Sequence, residues 1–329
     1  MKRDLLNIWR CPHCSSTDFE LIVAAEKNEI VTGVIHCRIC RYECSIDLGI
    51  IHTRPKLSAG LLNEIANARQ QTEPEKRKVF PLTNPVIPDE QWLLSLPTPS
   101  YHAGSWNPLY DIRYIIQCCK LKPSSRVLDL GAGVCWTSRE LANTSEHVVA
   151  VDIVDDIYLG LKSAEVYIRS THNFFERVNA SMEHLPFRDQ SFDLVLTNCS
   201  AHHADSLPNL LNEVRRVLKQ GGRYVMSNEL TQGWLKRSPL VGNDHYYQIG
   251  DYLRLLKLAG FKYTTIFPRS ILKSLSDGGQ GRKDGRWRFF GKLASRLYRL
   301  PGMAYCIQLA RLPISRLLGI PLIIIAQPK

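Results

Sequence analysis

Two CxxC pairs, Cys11/Cys14 and Cys37/Cys40, stand near the N-terminus with 22 residues between them. Four thiolates at that spacing can close a tetrahedron around one zinc ion. Such a site leaves no open position, so the expected zinc is structural and not catalytic. A second set of chemistry-bearing residues lies in "VLDLGAGVCW" (127–136). A hydrophobic strand ends in Asp129, and Gly131 and Gly133 follow in a loop that lets backbone approach a ligand. Asp152 ends the next hydrophobic run, "HVVAVDI", 19 residues after Gly133, with Ile153 beside it. The third glycine of a dinucleotide fingerprint would fall at position 136, which is Trp136. An indole there opposes the close helix–strand contact that a pyrophosphate site wants. S-adenosylmethionine has no phosphate to admit. Its ammonium and sulfonium suit Asp129, and its ribose diol suits Asp152.

These residues need a scaffold. Hydrophobic runs predict strands at 126–130, 147–151, 174–178, 192–197, 222–227 and 262–267, with helices near 136–143, 156–169, 205–219 and 248–259 between them. The alternation predicts an α/β, doubly wound parallel sheet with helices on both faces. Ahead of it, residues 8–52 alternate short β runs with turns and the cysteine pairs. A 45-residue segment buries too little surface to fold alone, so the metal supplies the missing stability. Residues 53–100 are rich in polar residues and proline, with a helix expected near 57–70. The expected division is a zinc ribbon over 1–55, a linker over 56–100 and a catalytic domain over 101–329.

The chain has 329 residues, 44% hydrophobic and 22% charged, which is ordinary globular composition. No apolar h-region opens the sequence, and the run at 317–326 is too short to span a bilayer and contains Pro321. A cytoplasmic location, peripheral at a membrane if anywhere near one, is the expectation. Ten cysteines in a reducing compartment then read as metal ligands or buried thiols. Cys44 reads as a bystander or a substitute for Cys40. Cys118, Cys119, Cys135, Cys199 and Cys306 have no metal spacing and are expected to be buried. Residues 269–329 hold twelve Lys/Arg against Asp277 and Asp284, which accounts for +10 of the chain's +11. Any electrostatic partner belongs at that end.

The segment "NASMEHLPFRDQSFDLVLTNCSAHHADSLPNLLNEVRRVLKQGGRYVMSNE" (179–229) adds the motifs that carry a resemblance. With "VLDLGAG" and "VDI", the chain over about 101–268 resembles a class I S-adenosylmethionine-dependent methyltransferase, within the broad group of ubiquinone/menaquinone-biosynthesis methyltransferases. The resemblance implies a seven-stranded Rossmann-like sheet whose last strand is antiparallel, and "LIIIAQPK" fits that strand. It matches Asp129, Gly131 and Gly133 to the cofactor loop and Asp152 to the ribose acid. Ser181 stands where relatives often place a carboxylate for the adenine amino group, and its hydroxyl can still donate or accept. Met182 can pack on the adenine face. Cys135 stands where many relatives have glycine. Asn198, in "NCSAHH" after the fourth strand, sits beside the sulfonium. The N-terminal segment resembles a small zinc domain that in another protein activates tRNA and protein methyltransferases. The resemblance lies in "RCPHC" and "IVTGVIHCRICRYECSIDLGIIH".

Methyl transfer is an in-line displacement, and the main task is to align the nucleophile. A hydroxyl, carbon acid or protonated amine also needs a base. The candidates are His203, His202 and Tyr247, with His245 and Tyr246 nearby. Tyr101, His102 and Trp106 precede the first strand, where relatives close a lid. The absence of an "NPPY"-type motif after the fourth strand disfavours methylation of adenine or glutamine amide. The basic insert 269–318 mixes Arg/Lys with aromatic and aliphatic residues. It suits an anionic membrane surface, an RNA backbone, or a solvated basic face with an apolar underside packed on the sheet. Three functions follow: a methyltransferase for a small-molecule or lipid/glycan-linked acceptor, an rRNA or tRNA methyltransferase, or a non-catalytic binding or activator protein.

Overall fold

The computed structural model describes residues 1–72, 90–97, 107–157, 159–235, 245, 247–276, 296 and 300–329. Tyr101, His102, Trp106, Tyr246 and most of 277–299 lie outside them.

Strand β5 (Arg126–Leu130) shows how the sheet is dictated locally. Its side chains alternate between two cores. Leu128 and Leu130 join one apolar cluster, and Val127 joins the other. A strand buried on both faces reads as a near-continuous apolar run, as β6 (His147–Asp152) and β8 (Phe192–Asn198) also do. Helices α6 (Leu207–Val217) and α7 (Ile249–Leu258) cover the first face. Helices α3 (Leu109–Cys118), α4 (Trp136–Ala142) and α5 (Ala164–Thr171) cover the second. In α6, Leu207, Leu210, Leu211, Val214 and Val217 form the buried stripe. Ser206 caps its start by accepting the Asn209 N–H at 3.3 Å.

The expected seven strands are β7 (Glu176–Asn179), β6, β5, β8, β9 (Leu218–Ser227), β13 (Ile323–Pro328) and β12 (Phe261–Ile266), in that spatial order. Strand β13 runs antiparallel to both neighbours. One helix differs from its expected bounds. The Asp156 carboxylate accepts the Leu159 N–H at 2.7 Å and a 3₁₀ turn spans Leu161–Ser163, so α5 begins only at Ala164.

The ribbon does not sit apart. Strands β1 (Phe19–Glu26), β2 (Ile30–Cys37), β3 (Glu43–Asp47) and β4 (Ile50–His52) form an antiparallel meander. Strand β4 pairs in parallel with β7, which extends the sheet to eleven strands. The expected linker helix appears as α1 (Ala59–Thr72), followed by α2 (Glu90–Ser95). The basic stretch contributes α8 (Arg269–Ser276), α9 (Met303–Leu309) and α10 (Arg311–Leu318). Among the described residues, no helix is long and apolar enough to cross a membrane.

Candidate functional site

The two cysteine pairs meet. Their four sulfur atoms all lie within 4.8 Å of one another. The Cys11–Cys40 and Cys14–Cys37 sulfurs are 3.5 and 3.6 Å apart. Thiolates at about 2.3 Å from a tetrahedral zinc ion sit roughly 3.8 Å from each other, so the set fits such an ion. Matching backbone turns shape the two knuckles. Ser15 N–H donates to Cys11 O, and Arg41 N–H donates to Cys37 O, at 2.9 and 3.0 Å. Cys11 and Cys37 N–H donate to Ser16 O and Tyr42 O. Ser15 and Arg41 both take left-handed φ, 61° and 65°. Cys44 is outside the cluster, buried on β3 opposite Ile35 in the apolar core.

A cavity of about 330 Å³ opens at the carboxyl ends of β5, β6 and β8, within the range of small-ligand sites. Gly131, Gly133, Asp152, Ile153, Ser181, Met182 and Asn198 all line it, as does His203. The loop after β5 touches the loop after β8. A Cβ on Gly131 (φ 68°) would meet Ser200 Cβ at 2.4 Å, and the Ser200 hydroxyl donates to Leu130 O at 2.7 Å. Gly133 (φ 49°) faces more open space. The Asp152 carboxylate accepts the N–H groups of Gly133 and Val154 at 2.7 and 2.8 Å, which joins the two strand ends. Asn198 Nδ2 is buried without a hydrogen-bond partner and belongs to the cavity wall. A ligand acceptor would satisfy it.

Asp129 is not a wall residue. It is buried beneath the loop and accepts the Ser138 hydroxyl at 2.6 Å. Burial raises its carboxyl to about 7, and the Asp152 charge adds to this against the Ser138 hydrogen bond. Burial likewise raises Asp152 to about 6, against its two backbone hydrogen bonds. The folded state therefore holds these protons more tightly than the unfolded chain. Their contribution to stability is fully present below about pH 4 and is lost as pH rises through 6 to 7.

The catalytic candidates separate. His203 lines the cavity. His202 is buried behind it, with its Nδ1 3.0 Å from Glu229 Oε2 and its ring 4.1 Å from that of His203. Tyr247, on β11 (Tyr247–Gln248), which pairs with β10 (Thr231–Gln232), packs against His245 and Tyr252 and is not part of the cavity wall. Glu229 was missed by reasoning from the sequence, although "YVMSNE" contains it. Its other oxygen accepts the Ser200 and Ala201 N–H groups at 3.4 and 3.1 Å, so it staples the loop after β8. Glu183, two residues beyond Ser181, also lines the cavity, as do Trp136 and Leu61. Cys135 caps α4 in the left-handed region (φ 62°), the conformation that glycine takes most readily.

The ribbon reaches this site through a relay of side-chain donors on backbone carbonyls. Tyr42, stacked on His13 of the first knuckle, donates its hydroxyl to Thr53 O at 2.5 Å. Thr53 donates its N–H and its hydroxyl to Asn179 O at 3.1 and 3.0 Å. Asn179 Nδ2 donates to Asp152 O and Ile153 O at 3.1 and 2.9 Å.

Fold and cavity together define the Rossmann-like methyltransferase class. Residues 128–226 match the family described as Methyltransferase domain. The chain is 32% identical over 187 residues to a malonyl-[acyl-carrier protein] O-methyltransferase of Erwinia pyrifoliae, covering 49% of this chain and 66% of that protein. It is 34% identical over 129 residues to the ubiquinone/menaquinone biosynthesis C-methyltransferase UbiE of Xanthomonas oryzae pv. oryzae, covering 38% and 51%. These matches thus span about half to two thirds of the relatives' lengths. A chain in the solved complex between the Haloferax volcanii Trm112 methyltransferase activator and a methyltransferase shares the fold. It has a TM-score of 0.50 at 16% identity and covers 73% of this chain and 97% of that one.

Proposed function

We propose that the protein is an S-adenosylmethionine-dependent methyltransferase acting on a small-molecule or lipid/glycan-linked acceptor. One observation carries the reading: the cavity joins a glycine loop, the Asp152 carboxylate and the unpartnered Asn198 Nδ2 at the strand ends. In this reading Asp152 accepts the ribose hydroxyls, with Ile153, Ser181 and Met182 around the adenine. Gly131, Gly133 and Asn198 border the methionine end, and Asp129 contributes negative charge from beneath. The cofactor supplies an electrophilic methyl group. His203 is the residue placed to take a proton from an acceptor, and His202 with Glu229 orients it. Cys11, Cys14, Cys37 and Cys40 hold a structural zinc ion, and residues 1–55 act as a ribbon on a catalytic domain over 101–329.

The RNA-modifying alternative draws support from the ribbon fused to the catalytic sheet and from the basic C-terminal stretch. RNA that co-purifies and is released by salt would favour it.

Calorimetric titration with S-adenosylhomocysteine tests the main reading. Micromolar binding is expected, a typical affinity for a substrate-sized ligand in an enzyme site. Because Asp152 and Asp129 carry raised values, binding that uses their ionised forms releases protons near pH 6. Affinity should then rise from mildly acidic pH to neutrality and level off above it. Titrations in two buffers of different ionisation heat read the protons directly. An affinity that falls with rising pH would contradict the assigned roles, and no binding at millimolar ligand would remove the enzyme reading.

A further inference from the structure

The chain carries two adjacent thiols that neither the zinc cluster nor the cavity uses. Cys118 ends α3, and Cys119 caps it. Their sequence context suggests core thiols, but the structure leaves both half-buried. The chain turns at exposed Lys120 (φ 54°), so the pair stands at an open helix end. Cys119 N–H donates to Ile115 O at 2.9 Å, and its side chain packs on the second apolar cluster. Strand β9 supplies a cation. Arg223 Nη1 donates to Cys118 O at 2.6 Å, which fixes the guanidinium beside the pair. Arg223 stands opposite Leu194, and Leu194 opposite Val127 near the start of β5. The pair therefore lies at the amino ends of the strands, away from the cavity. The two thiols are unequal. The Cys119 thiol hydrogen-bonds the Cys118 sulfur, and this bond, with the Arg223 charge, lowers Cys118 to about 7 against the effect of burial. The same bond, with burial, pushes Cys119 up. A thiolate beside a cation is the reactive form of cysteine, and a second thiol next to it can resolve its oxidation.

We propose that Cys118 and Cys119 form a reversible oxidation site for hydroperoxides, with Cys118 as the nucleophile, Cys119 as the resolving thiol and Arg223 as the positioning residue. The Cys118 sulfur attacks the O–O bond of the peroxide. An S–O bond forms and the O–O bond breaks. The leaving oxygen takes a proton and departs as water or an alcohol. Sulfur is thereby oxidised by two electrons to a sulfenic acid, and the peroxide is reduced. Cys119 then attacks the Cys118 sulfur. The S–S bond forms, the S–OH bond breaks, and the Cys119 proton leaves in the water released. Adjacent Cα atoms stand about 3.8 Å apart, closer than the roughly 4.4–6.8 Å that disulfides usually span. The resulting ring is strained and easily reduced, which suits a reversible mark rather than a structural bridge. The last turn of α3 can absorb the strain by giving up the Cys119–Ile115 hydrogen bond. Cys306 is the contrast within the chain. It is exposed, but no cysteine stands beside it in sequence. Accessibility alone would favour Cys306, whereas the proposed chemistry favours Cys118.

The test is brief exposure of the full zinc-loaded chain to equimolar hydrogen peroxide, followed by tryptic mass spectrometry without reductant. Cleavage after Arg113 and Lys120 gives one peptide, Tyr114–Lys120, that holds both cysteines and no other. This peptide should appear two hydrogen atoms lighter before Cys306 is oxidised, and dithiothreitol should restore its mass. In Cys119→Ser, dimedone should capture a sulfenic acid on Cys118. Arg223→Gln should slow the reaction about tenfold, the change in thiolate fraction when a neighbouring cation is lost. Unchanged circular dichroism and Tm show that the variants fold. An unmodified Tyr114–Lys120 peptide beside oxidised Cys306 overturns the proposal. A sulfenic acid that forms on Cys119 in Cys118→Ser as fast as on Cys118 in Cys119→Ser overturns the assigned roles. A rate in Arg223→Gln equal to that of the parent removes the part given to Arg223. None of these readouts depends on methyl transfer.

Discussion

An Asp152→Ala variant should bind S-adenosylhomocysteine at least about a hundredfold more weakly than the parent. The Asp152 carboxylate accepts two backbone N–H groups, Gly133 and Val154, from the two loops that frame the cavity. Hydrogen bonds to a charged acceptor are worth about 1.5–3 kcal/mol each. The variant loses those that hold the glycine loop and, in the proposed pose, those to the ribose hydroxyls. Losing about 3 kcal/mol already corresponds to roughly a hundredfold. Asp152→Asn keeps an oxygen acceptor and the side-chain shape, so roughly a tenfold loss is expected there. Calorimetry measures both. Equal affinity in the parent and the Ala variant would show that the ligand sits elsewhere.

Removing the metal, or changing Cys37→Ser, should damage two things together. The ribbon's fold should loosen, and the affinity for S-adenosylhomocysteine should drop. Without an ion, the two knuckles lose their cross-link, and β1 to β4 keep only their ladder, their share of the apolar core and the β4–β7 pairing. Yet β4 forms the outer neighbour of β7, and Thr53 holds the Asn179 carbonyl whose side chain ties down Asp152 and Ile153. Trp9 packs edge-on against Phe187, and Arg188 N–H donates to Ile8 O at 2.7 Å, so a loosened ribbon also unseats the "LPF" turn. Losing contacts worth about 3–5 kcal/mol lowers Tm by roughly 10 °C in a chain of this size. Metal analysis of the purified protein, melting with and without a strong chelator, and S-adenosylhomocysteine titration check the three links. A chelated protein with unchanged Tm and affinity would reduce the cysteine cluster to a bystander. Thr53→Val separates the routes: it removes one hydroxyl hydrogen bond to Asn179 O and leaves the knuckles intact.

The catalytic scaffold was legible wherever the signal was local. The run "RVLDL" alternates between two apolar faces, and strand and helix both follow from that period. The loop at Gly131 was legible because close approach to Ser200 excludes a side chain there. His203 and His202 could not be told apart by type or position. The Glu229 carboxylate, 27 residues from His202, holds that ring inward, and His203 lines the cavity. Asp129 looked like a wall residue, but its place in the strand's alternation turns it toward Ser138 beneath the loop.

By itself the sequence picked out the four cysteines that come together, the glycine loop that lines the cavity and the order of strands and helices. Ligand spacing, backbone freedom and apolar period are properties of short stretches. The tertiary structure alone decided that β4 would complete the sheet beside β7, and that Thr53 and Asn179 would link the ribbon to Asp152. It also decided that Trp234 and Leu235 would donate their N–H groups to Arg316 O and Leu317 O. The reason is physical: the pairing of β4 with β7 is made by backbone N–H and C=O groups, which nearly every residue carries in the same form. The Thr53 hydroxyl and the Asn179 amide are ordinary polar groups in the sequence, and their partners appear only when distant segments are packed together.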